Sequence, residues 1–187
     1  MLAVLPVLYA DDQEGGDHES LQVTSTTFSN NGTLPLSVLA GTTVGCPLDG
    51  GNQSPELSWR HAPSDTRSFV VVMFDETAAF THWGMYNISA QTHELPAGAG
   101  TAGSSFGAQV LNDFGLGQYD GPCPPPNVTP LSHHYIFTVY AVDIVLNLPS
   151  STNFPANADT LYQALIQDGR HDHILASASI SGFFPSQ

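Results

Sequence analysis

The sequence predicts a mainly β protein built as a two-layer β-sandwich. Three observations carry this. Ser68 to Asp75, SFVVVMFD, is a continuous β-branched and aromatic run of the kind that forms a strand buried on both faces. Short runs of strand character recur along the chain, broken by Gly, Pro and Asn. Only one segment has a helical period, and a sheet so poorly supplied with helices must cover its apolar face with a second sheet.

The elements follow in order. LQVTSTTF, Leu21 to Phe28, reads as a strand ended by the turn signal Asn30-Asn31-Gly32. Ser68–Asp75 comes next, then HWGMYNIS from His82 to Ser89 and HYIFTVYAVD from His134 to Asp143. ILASASISGFF, Ile174 to Phe184, alternates Ala and Ile against Ser and predicts a late, half-exposed strand. The one helix is Ala158 to Gly169: Asn157 or Asp159 can cap it, Leu161 and Leu165 share a face, and Gly169 can end it. The Gly- and Pro-rich stretch Gly98 to Asn127 has little periodicity, and loops of that length are functional or held by their own side chains.

The chain has 187 residues, which suits one domain with tails, and 41% are hydrophobic, enough for a sizeable core. Three arginines and no lysine stand against 17 acids, a formal charge of −14. That balance argues against nucleic acid and anionic membrane surfaces as partners, because both call for basic residues. Residues 1–20 divide into an apolar run ending at Ala10 and an acidic lead. The run is too short to span a bilayer. It reads as a signal remnant lacking its basic region, or as an ordinary apolar start. Residues 21–187 form the domain, and no transmembrane segment is expected.

Sequons at Asn31, Asn52, Asn87 and Asn127 point to an extracellular setting, with periplasmic and cytoplasmic locations as alternatives. Cys46 and Cys123 match no metal spacing. In a secreted chain they form a disulfide, closing a loop worth about 4 kcal/mol in chain entropy; in a cytosolic one they are free thiols.

Asp75, His82, His133 and Tyr135 are the residues able to do chemistry. Asp75 ends one strand, His82 opens the next, and His133 and Tyr135 stand two apart at the start of a third, facing one way. If the three strands are neighbours, the four converge. Two histidines and a carboxylate can hold a metal, though no tight ligand spacing is present. A histidine can serve as a hydrolytic base, though no GxSxG elbow supplies a nucleophile. Imidazole and backbone N–H groups can bind a small anion. The same residues can also be hydrogen-bonded strand ends with no ligand.

Four pieces occur in order: SPELSW (Ser54–Trp59), FVVVMFDE (Phe69–Glu76), THWGMYNI (Thr81–Ile88) and NDFGLGQYDGPCPPP…HHYIFTVYAVD (Asn112–Asp143). Together they resemble the phosphatidylethanolamine-binding protein (PEBP) family, the Raf kinase inhibitor-like proteins, in the bacterial and archaeal branch that includes exported members. The resemblance covers about Leu21 to Phe184 and implies a PEBP-like antiparallel β-sandwich with a short C-terminal helix and an anion pocket. It places Asp75 at the family's DPDAP aspartate and His82 at the histidine of its HW-type strand. Gly121 and Pro122 fall in the pocket-rim loop, and His133 and Tyr135 in the H-x-Y pair. It also implies a Cys46–Cys123 disulfide.

Two departures matter. DPDAP is replaced by DETAA, Asp75 to Ala79, and His134 stands where arginine is common. The expectation is a non-enzymatic binder of a small anion or phospholipid head group, without cofactor or metal, with tighter binding at pH 5 than at pH 8. A protein partner, protease or kinase, is a further expectation. The alternatives are a secreted protease inhibitor acting through its surface and a metal- or His-dependent hydrolase.

Overall fold

A computed structural model describes residues 19–166 and 173–185. The expected signal remnant and most of the acidic lead lie outside these residues, as does the expected helix stop at Gly169.

The strands are β1 (Gln22–Thr24), β2 (Gly32–Thr33), β3 (Leu57–Arg60), β4 (Ser68–Asp75), β5 (Phe80–Ser89), β6 (Glu94–Leu95), β7 (Ala108–Gln109), β8 (Ser132–Val142), β9 (Ser150–Ser151), β10 (Phe154–Pro155) and β11 (Ile174–Pro185). Among the described residues one α-helix, α1 (Ala158–Leu165), precedes β11. One sheet runs β2-β11-β8-β4-β5-β7, a second β1-β3-β6, and β9 and β10 form a small hairpin. Pairing is antiparallel except at the short edge pair of β2 with β11.

β4 lies mid-sheet between β5 and β8, which pair both of its edges, and both of its faces are buried. Phe69, Val71 and Met73 share the core of the sandwich with Leu57 and Trp59 of β3 and Phe137 and Val139 of β8. Trp59 packs on Phe69 with ring centroids 5.2 Å apart. Val70 and Val72 point the other way, into a second core with Val110, Leu161 and Leu165. This is why β4 reads as an unbroken apolar run. β11 behaves as its alternation predicts: Ala176, Ala178 and Ile180 face the core, and Ser177 and Ser179 are exposed.

α1 is capped by Asn157, whose side chain accepts from Thr160 N–H while the Thr160 hydroxyl accepts from Asn157 N–H. That reciprocal pair satisfies two donors that a helix start leaves open. Leu161 and Leu165 turn inward.

The first strand is shorter than its composition predicts. Pairing stops at Thr24 because Glu56 captures the next residues: its carboxylate accepts from Thr26 N–H (2.5 Å) and the Thr26 hydroxyl (2.8 Å), and its carbonyl accepts from Ser25 Oγ. Burial opposes ionisation of Glu56, but hydrogen bonds from Ser58 and Thr26 outweigh it and hold the carboxyl below its ordinary range.

The sequon asparagines are turn residues. Asn31, Asn52, Asn87 and Asn127 all have positive φ, between 47° and 59°, a region Asn tolerates better than other non-Gly residues. Asn87 sits in a bulge of β5: Tyr86 and Asn87 together oppose Val70, because Phe69 pairs with Ile88 and Val71 with Met85. Its amide donates to Leu146 O (2.9 Å) and accepts from Leu146 N–H (2.8 Å), so a glycan there would displace a structural clamp. Asn87→Ala removes both bonds and strains the backbone, and is expected to cost about 2 kcal/mol. Urea unfolding checks this, and an unchanged midpoint would contradict it.

Candidate anion-binding site

β5, β4 and β8 are consecutive neighbours in the large sheet, so Asp75, His82, His133 and Tyr135 do converge. Asp75 pairs directly with Tyr135 in the β4–β8 register. His133 lies two residues earlier on the same face of β8 and is buried with Tyr135. His82 owes its place to a second irregularity. Met73 pairs with Trp83 but Phe74 pairs with Thr81, leaving His82 the extra residue of β5. Such a bulge re-aims a side chain.

These four residues line a cavity of about 130 Å³, together with Ala78, Phe80, Phe114, Cys123, Pro124 and Pro125. At roughly 30 Å³ per water, this has room for a small oxyanion and not for a lipid chain.

Each imidazole is anchored through Nδ1. His133 Nδ1–H donates to Asp75 Oδ2 (2.6 Å), and His82 Nδ1–H donates to the Asp120 carbonyl (2.7 Å). Neither Nε2 has a hydrogen-bond partner among the described residues. The other carboxylate oxygen of Asp75 accepts from Thr77 N–H (2.9 Å) and Ala78 N–H (3.1 Å). The DETAA turn therefore holds Asp75 without any proline, through backbone donors. Glu76 N–H also donates, to His134 O at 3.1 Å, a bond that a proline at that position could not make.

Burial is the largest influence on His82 and pushes its pKa below the ordinary value. The Asp120 carbonyl and the charges of Asp75, Asp120 and Asp113 act in the opposite sense without overcoming it. His82 is accordingly neutral at pH 7, and its Nε2 is an acceptor. Burial, with the Asp75 charge, pushes the Tyr135 phenol well up, so it remains a neutral O–H donor.

Gly121 and Pro122 do not line the cavity. They brace its wall from behind. Gly121 N–H donates to Asn52 Oδ1 (2.7 Å), and Pro122 O accepts from Ala40 N–H (3.1 Å). The wall itself is Cys123–Pro125, one to three residues further on. Cys46 and Cys123 form a disulfide that ties this wall to the segment after Gly41. His134 also stays outside: strand alternation turns it to the opposite face, where it contacts Glu76 (2.5 Å) and stacks on Phe183 (4.3 Å).

The sequence reading did not single out Phe80, Phe114 or Asn112. Phe80 packs on His82 and Phe114, with centroids 5.0 and 4.6 Å apart. Asn112 orders the loop that carries Phe114. Its Oδ1 accepts from Phe114 and Leu116 N–H, and its Nδ2 reaches the His82 and Gln118 carbonyls and Asp120 Oδ2. The signal for that role was the aperiodic Gly-rich stretch itself, a loop needing side-chain support. Among the described residues, no group of three or more His, Cys, Asp or Glu lies close enough to hold a metal ion. No described helix is long and apolar enough to cross a membrane.

Comparison with known proteins agrees with this architecture. The sequence model of the phosphatidylethanolamine-binding protein family matches residues 24–185. The UPF0098 protein YbhB of Escherichia coli (strain K12) is 38% identical over 147 residues, covering 75% of this chain and 86% of that protein. A UPF0098 protein of Aquifex aeolicus is 34% identical over 168 residues, covering 88% of each. The crystal structure of E. coli YbcL, described as a new member of the mammalian PEBP family, superposes with a TM-score of 0.74 at 29% identity. It covers 90% of this chain and all of that one. On its sequence and its sandwich alike, the chain belongs to the phosphatidylethanolamine-binding protein family.

Proposed function

We propose that the chain binds a small oxyanion, a phosphate or phosphate ester, without catalysing its conversion. The observation that supports this reading is the pair of imidazoles anchored through Nδ1, with both Nε2 atoms left over on rings that line one cavity with Tyr135. The Cys46–Cys123 disulfide supports an exported location, since such bonds persist in oxidising compartments. A surface role toward a protease or other protein partner is the second reading, and deletion of residues 1–20 tests it.

Anion binding here is coupled to protonation. A neutral imidazole donating from Nδ1 offers only a lone pair at Nε2, so an oxyanion without a proton requires the charged ring. His82 is depressed below its ordinary value of about 6.5, so it charges only as pH falls beneath that. Bound anion favours the charged form, and affinity rises by up to about tenfold per pH unit in that window. Sulfate, a dianion across this range, is the clean probe. Calorimetry is expected to show sulfate binding at least about tenfold tighter at pH 5.5 than at pH 8, and binding lost in His133→Ala. Equal affinity at both values contradicts the proton linkage; no binding of sulfate or phosphate at either contradicts the anion reading.

The same depression acts on stability. The unfolded state binds more protons than the native state between the lowered folded pKa and 6.5. The contribution of neutral His82 is thus fully present above pH 6.5 and is lost as pH falls through its folded pKa. Because bound anion favours the charged ring, sulfate should raise the melting temperature more at pH 5.5 than at pH 8.

A further inference from the structure

β11 forms an open edge of the large sheet. Its inner side pairs with β8 from Ile174 to Pro185, but on its outer side β2 reaches only Gly182 and Phe183. Just before these, Asn31 N–H donates to Ser181 O (2.7 Å) and Ser181 N–H donates to Asn30 Oδ1 (3.0 Å). Backbone groups aimed to one side of a strand recur at every second residue. Ser179 and Ser177 therefore present their N–H and C=O outward as Ser181 does, and no described strand pairs with them there. An open hollow of about 720 Å³ flanks the same stretch, lined in part by Glu19, Leu21, His61, Ala176 and Ser177. Its one acid, Glu19, is engaged by His61 (2.7 Å). The far edge of the sheet differs. β7 is two residues long, and alongside it the Thr81, His82 and Gly84 carbonyls of β5 accept from Asp113, Asp120 and Val110.

Sheet edges are ordinarily guarded by charge, proline or a mid-strand bulge. From Ile174 to Phe184 there is no charged residue and no proline, and the one bulge falls at Leu175, at the strand's start. We infer that this edge pairs with a second copy of the chain, the two β11 strands running antiparallel about a two-fold axis near Ser177 and joining two six-stranded sheets into one. Charge favours a copy as the occupant. A two-fold sets the strand opposite itself, where any charge would meet its like, and this strand carries none in a chain of −14. Size favours it too: Ala176, Ser177, Ala178 and Ser179 are small, and serines facing across the pair can hydrogen-bond. Closure follows from the single long open edge among the described residues. A contact that is the same on both partners uses that edge up and stops at two chains. The anion cavity takes no part. His133 and Tyr135 pair with Phe184 and Gly182, about 20 Å along the strand from Ser177, so the two cavities lie at opposite ends of the joined sheet. The inference is independent of the oxyanion reading.

The test is analytical ultracentrifugation of the full chain from about 10 to 500 µM, at 0.15 M and 1 M NaCl. An edge contact of a few residues is small, so dissociation in the range of about 1–100 µM is expected. Dimerisation should strengthen at 1 M salt, where screening within about 3 Å removes the long-range repulsion of two acidic chains. Ser177→Pro removes an outward N–H, and Ser177→Lys keeps it but sets two like charges together at the axis. Ser177 is exposed and its N–H faces away from β8, so both variants should fold, which their melting temperatures check. Each is expected to weaken dimerisation about tenfold or more, while Ser177→Thr leaves it within about twofold. Hydrogen exchange at Ser177 and Ser179 should slow as concentration rises. A wild type that stays monomeric throughout overturns the inference. So does a dimer that both disruptive variants leave intact, which places the contact elsewhere. Protection of these amides that is independent of concentration and lost on deleting residues 1–18 would assign the edge to the chain's own start, and overturns it as well.

Discussion

Gly121→Ala is expected to destabilise the fold by about 3 kcal/mol or more, well beyond an ordinary surface substitution. A Cβ at Gly121 would lie 2.1 Å from Val38 O, 2.6 Å from Ala40 N and 2.7 Å from Leu39 C. All three are backbone atoms, so no rotamer change relieves the contact. The two segments would have to part, breaking the bonds from Gly121 N–H to Asn52 and from Ala40 N–H to Pro122. For a chain of this length the melting temperature should fall by roughly 6–12 °C. Anion affinity should weaken as well, because Cys123–Pro125 follows directly and forms the cavity wall. Gly117→Ala is the control. It lies in the same loop, but its nearest neighbour to a new Cβ is 3.9 Å away, so its effect should stay within about 0.5 kcal/mol. Equal melting temperatures for the two variants would refute the packing argument.

Removing the disulfide is expected to have a comparable effect by a different route. Cys46 and Cys123 are 77 residues apart, and closing so long a loop restricts the unfolded chain by about 4 kcal/mol in the chain-entropy account. Cys46→Ser/Cys123→Ser should therefore lower the melting temperature by roughly 8–16 °C. Because Cys123 lines the cavity, affinity for phosphate should fall too. Thermal unfolding of the oxidised protein, the reduced protein and the double variant makes the comparison. Reduced wild type and variant should agree. A variant as stable as the oxidised protein would show that the loop is held without the bond.

The local part of this architecture is legible in residue patterns. Val70 and Val72 flank apolar neighbours on both sides, and a strand buried on both faces needs that run. Ala and Ile alternating with Ser in β11 describe a strand with one wet face. Asn157 before an apolar helical period describes a cap. The site was half legible for the same reason. His133 and Tyr135 share a face by parity, and parity also turns His134 away from the cavity. Asp75 and His82 needed only adjacent strands to meet them.

What remained depends on groups distant in sequence. His82 aims into the cavity because β5 carries one residue more than β4 at that point, and register between strands is not written in either strand alone. Glu56 ended β1 early by outcompeting a sheet partner for the Thr26 N–H. The sequons proved to be left-handed turn residues, a conformation that an Asn-X-Ser/Thr pattern does not encode. Gly121 was legible as a rim residue by likeness, yet its work is to let two backbones touch behind the wall. Alternation, capping and β-branching act within a few residues and so determine the strands, the helix and the sandwich. The cavity exists only where strand ends and loops separated along the chain pack against each other, and that contact is settled by tertiary structure.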